Sequence, residues 1–296
     1  MGMLFVFRRD NGAPLFPITE RAVPKSDVPG EQTSPTQPFS ALPPLLPLRA
    51  ITPDGAWGLT LIDRAMCRRR IAALRSEGIY TPPSTRGTLL WPGYSGGSNW
   101  GSVAFDPARQ FVIANVNRLP FEVQLVPRAQ LEHAAHSDEH PDSEYARQTG
   151  APYGMRRELI TSPLGVPCTA PPWGTLAAVD LRRGRIAWQV PLGTSEDMAP
   201  WPFNGIRGMP NMGGPLVTAG GLVFIGAASD DYLRAFDIRN GNLLWQHRLP
   251  AGGQATPMTY RSGGRQYVVI AAGVHGGIGT TRGDPVVAFA LPAGQQ

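Results

Sequence analysis

Five side chains stand at the ends of apolar runs or in glycine-rich loops, the places where binding chemistry is usually built. Asn115 ends the apolar, β-branched run Phe111-Val112-Ile113-Ala114, where a polar amide must find hydrogen-bond partners. Asn99 and Trp100 sit in Gly96-Gly97-Ser98-Asn99-Trp100-Gly101, which joins an amide to a large aromatic face. Asp230 follows Ile225-Gly226-Ala227-Ala228 and precedes a hairpin strand. His275 lies in Ala272-Gly273-Val274-His275-Gly276-Gly277. Glycines there let backbone approach a ligand closely, and one imidazole can hydrogen-bond or stack. Each residue also has a plain structural reading. Asn99 satisfies a turn while Trp100 packs, Asn115 is a satisfied strand-end amide, Asp230-Asp231 is an ordinary hairpin turn, and a lone histidine belongs to the scaffold.

Other chemistries find weaker footing. His133, His136 and His140 invite a metal reading, yet their spacing is loose and Pro141 intervenes. Residues 129–150 are therefore expected to form an exposed loop. The two cysteines, Cys67 and Cys168, form no CxxC or zinc pattern, and they either pair or stay as buried thiols. The net charge of +5 is carried by arginine, with Lys25 the single lysine. Clusters such as Arg68-Arg69-Arg70 lack interleaved aromatics, so no nucleic-acid partner is expected. No run reaches the roughly 18 apolar residues of a membrane helix, and Met1-Gly2-Met3 leads straight into the strand-like Leu4-Phe5-Val6-Phe7 with no signal sequence. The chain is expected to begin in the middle of a fold.

The elements that must position these residues are legible from a repeat. Leu176–Trp188 and Leu233–Trp245 share the pattern A-x-D-x-x-x-G-x-x-x-W, and Phe5–Gly12 is a degenerate copy with Phe16 in the tryptophan's place. An alternating strand enters a turn whose Asp bonds nearby backbone N–H groups. A glycine then takes the positive φ of a tight hairpin, and the return strand ends on an aromatic that can bury its face. With Gly 35 and Pro 31, about a fifth of the chain, and only 17% charged residues, the composition favours a turn-rich all-β protein. Four-stranded sheets are expected over 213–250 and 254–291, with another over about 86–128; radially repeated small sheets of this length are propeller blades. Between them lie expected insertions at about 24–77 and 129–160. Pro24–Pro47 is expected to cross the surface in extended form, and 58–77 to form a helix with Leu59, Ile62, Ala65, Met66 and Ile71 at helical spacing.

The repeat resembles the tryptophan-docking motif of quinoprotein dehydrogenases, in which each motif tryptophan locks one blade against the next. The blocks Ser34–Pro38, Glu77–Pro83, Pro163–Cys168 and Leu249–Tyr260 look like the membrane-bound glucose/quinate/shikimate branch. The resemblance covers essentially the whole chain and ends at Ala288–Pro292. It implies the C-terminal portion of an eight-bladed propeller that holds pyrroloquinoline quinone (PQQ) beside calcium or magnesium. It also implies a place at the periplasmic face of the inner membrane, with a sugar or polyol substrate, glucose foremost, and ubiquinone as electron acceptor. Asn99 and Trp100 match the family's Gly-Gly-x-Asn-Trp block, although the glucose branch departs from the alcohol-dehydrogenase pattern there. Asn115 matches a quinone-contacting asparagine, Asp230 a site carboxylate, and His275 a position near quinone and sugar. The family's catalytic carboxylate and a quinone-contacting lysine lie upstream of the segment matching Leu4–Phe7, so the missing N-terminal half is an expected partner and the fragment is expected to be inactive alone. The alternative is a propeller scaffold or binding module that kept the fold without the chemistry.

Overall fold

A computed structural model describes residues 1–137, 142–273 and 277–292. In chain order its strands are β1 (Ile18–Ala22), β2 (Thr36–Ser40), β3 (Thr88–Leu90), β4 (Ala104–Asp106), β5 (Phe111–Asn117), β6 (Phe121–Pro127), β7 (Glu144–Ala146) and β8 (Tyr153–Leu159). They continue as β9 (Gly174–Asp180), β10 (Arg185–Pro191), β11 (Leu216–Val217), β12 (Leu222–Ile225), β13 (Tyr232–Asp237), β14 (Leu243–Arg248), β15 (Met258–Ser262), β16 (Arg265–Ala271) and β17 (Val286–Phe289). Two α-helices, α1 (Leu61–Ala73) and α2 (Arg128–Ala135), complete the set among the described residues. All strand pairs within the sheets are antiparallel. The chain forms two compact units, one of residues 1–97 and 118–170, the other of 98–117 and 171–296.

The second unit carries the repeat. Its sheets run β10-β9-β5-β4, β11-β12-β13-β14 and β15-β16-β17. The A-x-D turns behave alike. The carboxylates of Asp106, Asp180 and Asp237 each accept backbone N–H groups from the turn and ion-pair with Arg109, Arg183 and Arg239. Asp106 marks a copy hidden in the sequence, because Gln110 takes the left-handed φ of 58° that glycine supplies elsewhere. Trp188, in the middle of β10, lies over Gly241, where an added Cβ would come within 2.6 Å of the ring. Its Nε1–H donates to the Ile238 carbonyl at 2.8 Å. One blade's tryptophan thus docks on the next blade's turn, and the core around Ile113, Leu176, Val223, Ile225 and Phe236 is continuous across the two sheets. In the following pair Trp245 meets Phe289 edge-on at 5.2 Å.

Three sheet expectations need correction. Residues 86–128 do not make one blade: β4 and β5 are completed by β9 and β10, while β3 and β6 join β8 and β7 in a separate sheet. The chain leaves after Asn117, builds part of the other unit, and returns at Gly174 to pair it with Asn117. The sheet within 254–291 has three strands, not four, among the described residues. The degenerate copy at Phe5–Gly12 turns back as expected, with Leu15 N–H bonded to the Val6 carbonyl, but it forms only the isolated bridge Phe7–Pro14.

The first unit is built on the sheet β3-β6-β8-β7, with β1 and β2 as a separate hairpin. Pro24–Pro47 is more than a surface crossing: Leu42, Leu45 and Leu46 are buried between its prolines, apolar side chains that extended backbone can still deliver to a core. Within 58–77 the helix is α1, capped by Thr60, whose Oγ1 accepts the Asp63 N–H, while Asp63 Oδ2 accepts the Leu59 N–H just before the helix. Its buried face is Asp63, Cys67 and Ile71, whereas Ile62 and Met66 are exposed. The hydrophobic spacing therefore located the helix and misplaced its inner face. Cys67 and Cys168 form a disulfide within the cluster of Ile71, Leu89 and Ile160. The 129–150 region holds α2 and β7 instead of a bare loop, since Leu131 packs over the space that Gly154 leaves open. His133 and His136 are exposed on and after α2, and His140 lies outside the described residues.

Candidate functional site

In the second unit, β4 pairs with β5 only as far as Ile113. Beyond that point β5 presents Asn115 and Asn117, which are 1% and 4% exposed, to the segment Met209–Gly213. Asn117 binds that segment's backbone twice: its Nδ2 donates to the Asn211 carbonyl at 2.7 Å, and its Oδ1 accepts the Asn211 N–H at 2.8 Å. Asn115 Nδ2 donates to Asn211 Oδ1 at 2.7 Å and to the Gly213 carbonyl at 3.1 Å. Asn211 Nδ2 in turn donates to the Val116 carbonyl at 3.3 Å. Three buried amides therefore form one cluster. Turning the Asn115 amide over would set its oxygen against two others, so the bonding fixes its orientation.

One atom in the cluster is left over. Asn115 Oδ1 is buried and meets no donor among the described residues. An unpaired buried acceptor costs about 1–3 kcal/mol, so the position calls for a group that brings an N–H or a positive charge. The other site residues attach to the same segment. Gly101 and Gly213–Gly214 lie backbone against backbone, closely enough that a Cβ at Gly101 would fall 1.8 Å from Gly213 carbon. This contact sets the Asn99-Trp100 block beside the Asn115 cluster. Asn99 Oδ1 accepts the Trp100 N–H at 2.7 Å, and the Trp100 indole is 58% exposed.

Asp230 is reached from the far side of the same segment, through the bonds of Met212 N–H to the Ala227 carbonyl and Ser229 N–H to the Pro210 carbonyl. Its carboxylate is fully engaged. Arg234 donates to both oxygens, at 2.8 and 2.6 Å, and the Thr194 N–H to one of them at 2.7 Å. Both ions are buried, so the pair is neutral as a unit and is held by its hydrogen bonds. Its neighbour Asp231 is also buried, and its Oδ1 meets no partner among the described residues. His275 lies outside the described residues. The chain on either side of it is anchored by Ala272 N–H to the Pro285 carbonyl and by Thr280 to Gln254.

Asn115, Gly101 beside the Asn99-Trp100 block and the 227–229 turn before Asp230 all attach to one segment, Met209–Gly214, that sequence reasoning passed over. Asn211 sits in Met209-Pro210-Asn211-Met212-Gly213-Gly214, which reads as a turn. Only the apolar strand ending in two asparagines, Asn115 and Asn117, hinted that amide partners were needed. Among the described residues no group of three or more His, Cys, Asp or Glu is placed to hold a metal ion.

Comparison with known proteins gives concordant matches. The family described as "PQQ: Glucose/ethanol/alcohol dehydrogenase, beta-propeller domain" matches residues 1–268. Quinoprotein glucose dehydrogenase of Escherichia coli is 44% identical over 98% of this chain and 37% of its own length. Quinate/shikimate dehydrogenase (quinone) of Acinetobacter baylyi is 41% identical over 98% of this chain and 37% of its own. Among solved structures, a europium-containing methanol dehydrogenase covers 92% of this chain and 35% of that one, with a TM-score of 0.54 at 20% identity, a likeness of fold alone. The chain spans little more than a third of the length of these relatives.

Proposed function

We propose, for a chain that belongs to the PQQ-dependent glucose/ethanol/alcohol dehydrogenase β-propeller family, that it supplies the C-terminal wall of a quinone pocket in a sugar or polyol dehydrogenase. The observation that carries this reading is the buried, unpaired Asn115 Oδ1. PQQ offers a pyrrole N–H, and a divalent cation such as calcium or magnesium takes oxygen ligands, so either answers the missing partner. The quinone, when bound, supplies the two-electron acceptor that no side chain provides.

The chain's own residues bind and orient. Asn211 and Gly213 hold the Asn115 amide so that its oxygen stays directed to the ligand. Trp100 provides an aromatic face, and His275, in the glycine-rich sequence 272–277, is by the resemblance a residue near the quinone or the sugar. Asp230 is the carboxylate expected from the resemblance. With both oxygens engaged by Arg234 and Thr194, its role is to position the 227–230 turn and balance charge, not to accept the substrate proton. The general base would then come from a carboxylate outside this cluster, as the relatives' greater length allows. By the same resemblance glucose is the foremost substrate, ubiquinone the final acceptor, and the periplasmic face of the inner membrane the place of work. The Cys67–Cys168 bond suits such an oxidising compartment.

The test is reconstitution of the purified 296-residue chain with PQQ and calcium or magnesium, followed by dye reduction with glucose. Quinone binding without turnover is expected. Sustained turnover by this chain alone would overturn the assignment of the base to residues outside it.

A further inference from the structure

The segments that build the candidate site meet at one buried amide. Gln254 is only 4% exposed, and a buried amide must find partners. Its Nε2 donates to the Ala228 carbonyl and its Oε1 accepts the Thr280 hydroxyl, both at 3.0 Å. Its backbone lies against Gly213, where an added Cβ would strike the Gln254 carbonyl oxygen. One residue thus touches three segments: 209–214, which holds the Asn115 amide, 226–230, which leads to Asp230, and 277–283, which follows the glycine-rich run containing His275.

The middle segment needs holding. Ala227 is fully buried and takes a left-handed φ of 61°, which a residue with a Cβ keeps only where its surroundings impose it. The Ala228 N–H bonds back across it to the Gly226 carbonyl at 2.7 Å, making a tight three-residue turn. On one side the Ala227 N–H donates to the Gly253 carbonyl, and on the other its own carbonyl takes the Met212 N–H. The Gln254 side chain closes this arrangement at Ala228 and, through Thr280, ties in the last segment, where the Gly252 N–H also donates to the Thr281 carbonyl. Only glycine fits at 252, because a Cβ there would strike both Gln254 Oε1 and Thr280 Oγ1.

We propose that Gln254 is a positioning residue of the quinone site. It fixes the strained 226–228 turn, and with it the Met212–Gly213 backbone that aims Asn115, and it keeps the 277–283 chain in register with both. It acts through Asn115 and that chain, not by contact with the ligand. The proposal rests on the quinone reading for its ligand, and on the hydrogen bonds alone for the clamp.

The test takes two measurements on the 296-residue chain. The first is amide hydrogen exchange without ligand. Gln254→Met, of similar length but without the amide, should speed exchange over 209–214, 226–230 and 277–283 about fivefold or more and leave β6 in the other unit unchanged. Thr280→Val should speed it over 277–283, and Thr280→Ser, which keeps the hydroxyl, should not. The second is titration with PQQ and calcium. Gln254→Met should weaken binding about five- to tenfold, and the double variant Asn115→Ala/Gln254→Met should lose clearly less than the product of the two single factors. Gln246→Met, at an exposed glutamine of β14, should change neither measurement. Unchanged exchange in Gln254→Met, equal effects of Thr280→Val and Thr280→Ser, or single losses that simply multiply would overturn the proposal. A wild type that binds no PQQ would refute the quinone reading instead, and the exchange comparison would still decide the clamp.

Discussion

At the scale of single residues the account turns on one amide oxygen. Asn115 spends both donors inside the protein and leaves its acceptor unmet among the described residues, so removing the side chain takes an acceptor from the ligand and also leaves Asn211 Oδ1 and the Gly213 carbonyl unpaired in the fold. Asn115→Ala is expected to weaken PQQ binding by about 1–3 kcal/mol, a factor of roughly 5 to 150, read by fluorescence titration, while Asn211→Ala should do the same indirectly. Asn115 was legible because an amide is conspicuous at the end of an apolar strand. Asn211 was hidden, since its importance comes from a contact 96 residues away in sequence. The turn aspartates make a second prediction. Hydrogen bonds from Arg239 and its backbone hold Asp237 down at about 2, and the Arg183 bond lowers Asp180 in the same direction. A carboxyl lowered in the fold stabilises it above its unfolded value and loses that effect as pH falls through the folded one. The stability gap between wild type and Asp237→Asn should therefore be full at neutral pH and close between about pH 4 and pH 2, as acid-dependent urea titrations would show.

At the scale of elements the docked tryptophan and the disulfide each fasten one unit. Trp188→Ala removes a buried indole and its bond to Ile238 and should destabilise the second unit by about 3–5 kcal/mol. Trp188→Phe, which keeps a ring but not the N–H, should lose about 1 kcal/mol. In the first unit Cys67→Ser should cost of order 4–5 kcal/mol, given the 101-residue separation of the bridged cysteines, and denaturant unfolding with and without a reductant gives the comparison. The repeat was readable because each hairpin keeps its Asp, turn residue and aromatic within a dozen residues. The interruption between β5 and β9 was not, because strand pairing leaves no local mark when its partner lies beyond an intervening segment. Helix α1 misled for the opposite reason. Its apolar spacing was real and Ile71 is buried, but Asp63 at the cap and Cys67 in the disulfide share that inner face, and Ile62 and Met66 are left outside.

At the scale of the whole molecule the two units divide the work, one holding the amide cluster and the docked blades, the other the disulfide-pinned α1 and its own sheet. The family and the fold were legible from repeats and from blocks spread along the chain, and the relatives match at 98% coverage of this chain. The activity is another matter, because the chain corresponds to 37% of those relatives and the candidate site shows no evident base among the described residues. Titration of the 296-residue chain with PQQ in the presence of calcium or magnesium, following tryptophan fluorescence for wild type and Asn115→Ala, tests this most directly. Saturable quenching by the wild type, shifted at least about fivefold in Asn115→Ala, is the expected result. Equal titration curves for the two proteins would contradict the placement of the quinone at Asn115.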